Sequence, residues 1–167
     1  MEPTVRAASC RCGRVRCEGR GAPILSAVCY CDDCQAGGRQ IEGLPDAAAV
    51  LDGDGGTSVL VYRTDRFRCV EGAALLRPYT LKERAYTERF VASCCNTAMY
   101  LKFRPGHWVS AYRGRFEGDL PPIELRSQTQ FRNADAPFPD DAPCYRRFPL
   151  KLFARLLVAR WQMLVGR

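Results

Sequence analysis

A mainly β fold closed by one C-terminal α-helix is what this sequence predicts, and three observations carry the prediction. Apolar and polar residues alternate over short runs set between turn formers. Seven of the ten cysteines fall in tight groups, a pattern suited to metal binding. Only one long stretch, at the C-terminal end, keeps a helical period. A chain of 167 residues suits one core. No apolar run approaches the roughly 18 residues of a membrane span, and the opening residues lack the apolar core of a cleaved signal. A cytoplasmic, reducing setting is therefore expected, where thiolates bind metal more often than they pair.

Taken in order, Cys10-Arg11-Cys12-Gly13 is a turn, and Val15 and Cys17 after it alternate with Arg14 and Arg16 as in a strand. Ile24 to Val28 is an apolar strand that runs into Cys29-Tyr30-Cys31-Asp32-Asp33-Cys34. Gly53, Gly55 and Gly56 form a loop; no lysine or helix start follows, so they are not a phosphate cradle. Thr57 to Tyr62, Leu75 to Leu81, Ala85 to Ser93 and Met99 to Phe103 read as further strands, mostly antiparallel. Prolines and aspartates make residues 126–148 an irregular connector. Pro149 suits a first helical turn, and a basic amphipathic helix is expected from there to Val165. The expected division is a zinc domain over 1–125, a connector over 126–148 and the helix over 149–167.

The sharpest chemical signal is the group Cys29, Cys31 and Cys34. A catalytic zinc takes three protein ligands and keeps its fourth position open, and three thiolates within six residues fit that need. An isolated reactive cysteine or a redox CxxC leaves the third cysteine unexplained. Cys10 and Cys12 can form half of a second site if the chain turns at Gly13, and the candidate for its other half is Cys94 with Cys95. Neighbouring side chains on an extended strand point to opposite faces, so both of the latter reach one metal only if the backbone turns between them; otherwise one is a ligand and the other is packed. Cys17, Cys69 and Cys144 have no partner at metal spacing and read as small buried or spare thiols. His107 reads as a turn residue packed on Trp108, Asp33 as a cap of a short turn, and Arg113 and Arg115 as solvated strand residues that could otherwise face a carboxylate.

The net charge of +7 is concentrated. Residues 145–167 carry six basic side chains and no acid, whereas the rest holds nineteen basic and eighteen acidic ones. Nucleic-acid binding is not expected, because the tail lacks interleaved stacking aromatics. The helix is expected to meet a dimer partner or an anionic membrane surface, or else to pack on its own domain with Arg160 at the rim.

On Cys10-Arg-Cys12-Gly13-Arg-Val15, Cys29-Tyr-Cys31-Asp-Asp-Cys34 and Cys94-Cys95-Asn96-Thr97, the chain resembles the glutathione-dependent formaldehyde-activating enzymes, the CENP-V/GFA domain family with the Mss4-like zinc fold. Ser93 to Thr97 and Gly106-His107-Trp108 are also similar to segments of a GFA-related group of bacterial proteins. Ala92 stands where the family has the first cysteine of its late motif, and Tyr30 where it has a histidine. The resemblance, over residues 7 to 116, implies small antiparallel sheets clasped by one or two Zn2+ ions. It also implies a catalytic zinc on Cys29, Cys31 and Cys34 and a structural zinc on Cys10, Cys12 and the Cys94/Cys95 pair. The implied activity is carbon–sulfur lyase chemistry on a small, glutathione-like thiol and a small aldehyde. The alternative within the same fold is a non-catalytic zinc module that binds a protein.

Overall fold

A computed structural model describes residues 4–133, 135 and 137–166. Two sheets and two α-helices form around β4 (Thr57–Arg63), whose sequence TSVLVYR is apolar on both faces. Leu60 and Tyr62 enter one core cluster and Val59 and Val61 the other, so β4 is buried from both sides as strand alternation requires.

The larger sheet has the order β10-β3-β4-β9-β8-β7-β6. Its strands are β3 (Leu25–Cys29), β4, β6 (Leu76–Tyr79), β7 (Thr87–Ala92), β8 (Thr97–Phe103), β9 (Trp108–Tyr112) and β10 (Leu125–Ser127). All its pairings are antiparallel except that of β10 with β3, which places Ser127 opposite Cys29. The smaller antiparallel sheet joins β1 (Val5–Ser9), β2 (Arg16–Arg20) and β5 (Phe67–Glu71). Its Ala8, Cys17 and Phe67 share a core with Leu60, Tyr62 and Met99 of the larger sheet.

Helices α1 (Asp32–Glu42) and α2 (Leu150–Leu164) supply Ile41 and Leu156 to the second core, beside Leu25, Val61, Val91 and Leu125. The fold is thus mainly β with a C-terminal helix, as the residue pattern implies. The structure departs from that pattern in three respects. β1, β5 and β9 are strands where the residue pattern gives none. An eleven-residue helix stands where only a short turn is expected after Asp33. The segment beginning at residue 126 is not irregular throughout, since β10 runs to Ser127 and docks on β3. Its Arg126 reaches Asp54, Asp141 and the Tyr30 hydroxyl.

Candidate metal centre

Two groups of cysteine sulfurs converge, Cys10, Cys12, Cys94 and Cys95 in one and Cys29, Cys31 and Cys34 in the other. Within each group the sulfurs all lie within 4.8 Å of one another. All ten cysteines are free thiols. Both groups are geometrically able to hold a metal ion.

The four-sulfur group is built from two turns. Gly13, at φ +78, reverses the chain after β1, its N–H donating to the Cys10 carbonyl at 2.9 Å. The Val15 N–H donates to Cys10 Sγ at 3.2 Å and directs that sulfur inward. The opposing half is the turn between β7 and β8, where Asn96 adopts φ +50 and its side-chain amide donates to the Pro45 carbonyl. That turn brings both Cys94 and Cys95 to the group, the arrangement adjacent cysteines on an extended strand could not reach. Sγ–Sγ separations are 3.6 Å for Cys10–Cys12, 3.3 Å for Cys12–Cys94, and 3.9 Å for both Cys10–Cys94 and Cys94–Cys95. A tetrahedral thiolate site with bonds of about 2.3 Å spaces its sulfurs about 3.8 Å apart, so the donor set fits such an ion. The Arg14 backbone N–H, joined by Cys94, pulls the Cys12 thiol down to about 6. A shallow depression of about 410 Å³ opens over this group between Arg11, Pro45, Asp46 and Asn96.

The three-sulfur group sits where β3 ends and α1 begins. Cys29 is the last residue of β3, Cys31 is the N-cap of α1, and Cys34 lies in its first turn. Cys31 Sγ accepts from the Cys34 N–H at 3.4 Å, so a sulfur rather than the Asp33 carboxylate caps the helix. Gln35 pins the turn from inside, its Nε2 donating to the carbonyls of Tyr30 at 2.7 Å and Phe131 at 2.8 Å.

Charge in this group is unevenly shared. Hydrogen bonds from Cys29 and Cys34 hold the Cys31 thiol down to about 3, against its burial, with the Arg89 charge adding to the effect. The bond with Cys31 pushes Cys29 up to about 12, and the bonds with Cys29 and then Cys31 push Cys34 well above the ordinary thiol value. Arg89, on β7, is 2% exposed and donates to the Asp33 carbonyl at 2.5 Å. It passes over Gly37, where any Cβ would collide with its guanidinium. Arg89 lies outside the residues that the cysteine spacing singles out. The available signal was its place two residues before Val91, which puts it on the inward side of β7.

The remaining singled-out residues take structural places. Tyr30, in the position between Cys29 and Cys31, is fully buried, its hydroxyl donating to Asp54 at 2.6 Å and its ring edge-on to Phe138. Burial, then Asp54, raises its phenol above the ordinary range. His107 packs edge-on to Trp108 and joins its Nε2 to the Leu156 carbonyl of α2 at 2.7 Å. Arg113 donates to Ser26 Oγ and to the Pro121 carbonyl, and Arg115 to the Ala49 carbonyl, so both bind backbone or neighbouring side chains. Cys17 and Cys69 are opposite one another in the β2–β5 ladder, a pairing across 52 residues that local spacing does not reveal. Cys144 is exposed, with its thiol near the Ala142 carbonyl.

A family model described as a family of unknown function (DUF6151) matches residues 2–112. No curated protein matches the chain. Among solved structures, a protein of Rhodobacter sphaeroides is similar at 18% identity and a TM-score of 0.46, over 69% of this chain and 91% of that one.

Proposed function

Because the chain belongs to the family of unknown function DUF6151, its activity has to be read from its own cysteines, and we propose that it is a zinc protein of glutathione-dependent formaldehyde-activating type, a carbon–sulfur lyase acting on a small thiol and a small aldehyde. The observation that carries the reading is the inequality of the two groups. One offers four sulfurs, which complete a tetrahedron, and the other three, which leave a position for a substrate. Cys10, Cys12, Cys94 and Cys95 are the structural ligands, and Cys29, Cys31 and Cys34 hold the reactive ion.

Zinc on three thiolates supplies a modest Lewis acidity, which favours delivery of a substrate thiolate at neutral pH. The chain's own residues set that site. Cys31 joins it to the N-terminus of α1, whose positive end favours sulfur in its anionic form. Arg89 lies behind it with a compensating positive charge. Tyr30 stays out of the chemistry, because its hydroxyl is committed to Asp54 and Arg126. In the reaction the substrate sulfur bonds to the aldehyde carbon, the carbonyl π pair moves to oxygen, and that oxygen gains the proton lost by the thiol. The reverse step releases thiol and aldehyde.

Elemental analysis and enzymology test the reading together. Two zinc ions per chain are expected, falling to one in both Cys31→Ser and Cys12→Ser. Formation of the adduct between glutathione and formaldehyde, followed by NMR exchange, is expected to accelerate with the native protein and not with Cys31→Ser. Two bound zinc ions with no acceleration favour the second reading, a non-catalytic zinc module. One observation supports that alternative: a depression of about 410 Å³ lies over the four-sulfur group, where it could seat a partner's side chain.

A further inference from the structure

Nothing in the cysteine chemistry accounts for the outer face of α2. Only Leu156 and Ala159 of this helix are buried, with Leu152 and Met163 half-buried on the same narrow strip. That strip is fastened to the body, because His107 binds the Leu156 carbonyl and Arg155 binds Glu124 and the Ile24 carbonyl. The opposite side is apolar and open. Leu150 is 85% exposed, Leu164 72%, Leu157 70% and Trp161 55%. At 100° per residue the outward apolar residues, from Phe153 round to Val158, span an arc of about 140° that holds no charged side chain. Arg160 and Lys151 stand on its two margins, both exposed. Arg146 and Arg147, also exposed, precede the helix, and no acid occurs after Asp141.

Charge decides between occupants. In an isologous pair of helices the basic margins of one copy would meet those of the other, with no carboxylate on either helix to neutralise them in a drying contact. An anionic lipid surface satisfies both parts of the face, hydrocarbon taking the apolar arc and phosphates taking the cations. Among the described residues no helix is long and apolar enough to cross a membrane. We propose that α2 lies in the surface of an anionic bilayer, its apolar arc among the acyl chains, and holds the metal-binding body at that surface. The helix lies outside the stretch that the family model matches.

The test uses the full-length, metal-loaded protein with vesicles of phosphatidylcholine alone or with about one third phosphatidylglycerol. Binding by sedimentation is expected on the anionic vesicles, weakening as salt rises, together with a blue shift of Trp161 emission that a Trp161→Phe variant loses. Leu157→Glu changes an exposed residue and is expected to keep metal content while weakening vesicle binding by about tenfold or more. Lys151→Gln with Arg160→Gln is expected to remove the preference for anionic over neutral lipid. The proposal is overturned if the native protein ignores anionic vesicles, if it binds both vesicle types equally, or if Leu157→Glu binds as well as the native protein. A native dimer in solution that Leu157→Glu converts to monomer, without vesicle binding, assigns the face to a second copy instead.

Discussion

Arg89 is 2% exposed, and among the described residues no carboxylate stands beside it, so the cost of burying its charge has to be offset by other neighbours. The Asp33 carbonyl contributes one hydrogen bond and the Cys31 thiolate contributes the opposite charge. Three thiolates on a divalent ion leave one net negative charge, which a single guanidinium balances. Arg89→Met, of similar length and no charge, is therefore expected to weaken metal binding at Cys29, Cys31 and Cys34 about 10- to 100-fold, read by competition with a chromophoric chelator. The four-sulfur group is expected to keep its ion in that variant, and Arg89→Lys to recover part of the loss. The three converging cysteines were legible in the sequence because they occupy one short stretch, whereas Arg89 was not, because it comes from a strand 55 residues beyond Cys34. Convergence of Cys94 with Cys95 was half legible. The adjacent pair was visible, but the left-handed backbone of Asn96 that turns the chain there was not.

Helix α1 illustrates how tertiary packing overrides propensity. Gly37 and Gly38 each cost about 1 kcal/mol relative to alanine in a helix interior, and together they disguise the segment as a loop. Their small size is what the packing uses, since Arg89 crosses Gly37 and the Leu51 side chain fills the space at Gly38. The cues that point the other way are Asp32 and Asp33 in the first turn and the buried Ile41. β10 was hidden for a different reason. Three residues carry too little period to read, and its place is fixed by distant groups, with Arg126 joined to Asp54 at 3.2 Å and Asp141 at 3.0 Å. The Arg126 hydrogen bond holds the Asp141 carboxyl below its usual range. A depressed carboxyl stabilises the fold fully above its unfolded value of about 3.9 and ceases to do so as pH falls through the lower folded value. Asp141 is 42% exposed, so the contribution is at most ~1 kcal/mol. Thermal unfolding should therefore separate native protein from Asp141→Asn at pH 6, with the gap closing below about pH 4.

For the whole molecule the two groups of sulfurs have unlike reach. Cys10 and Cys12 follow the first strand of the smaller sheet, while Cys94 and Cys95 turn between two strands of the larger one, so an ion shared by them would cross-link the sheets across 84 residues. Closing a loop of that length by a cross-link stabilises by about 4 kcal/mol on chain entropy alone. Cys12→Ser is expected to lower the midpoint of thermal unfolding by roughly 8–16 °C, and Cys31→Ser by much less, because its group closes only a local turn. Calorimetry on the two variants checks the contrast, and equal shifts would refute it. The same difference in reach gives the molecule an order of assembly. A growing polypeptide completes the three-sulfur knot once Cys34 has emerged, but the four-sulfur clasp lacks half its ligands until Cys94 and Cys95 follow. A nascent chain halted between those points is expected to bind one metal ion rather than two, measured on ribosome-bound chains by chelator competition. Metal uptake would then bracket synthesis of the body, with the three sulfurs at the start of α1 loaded early and the clasp that would join the sheets closed last.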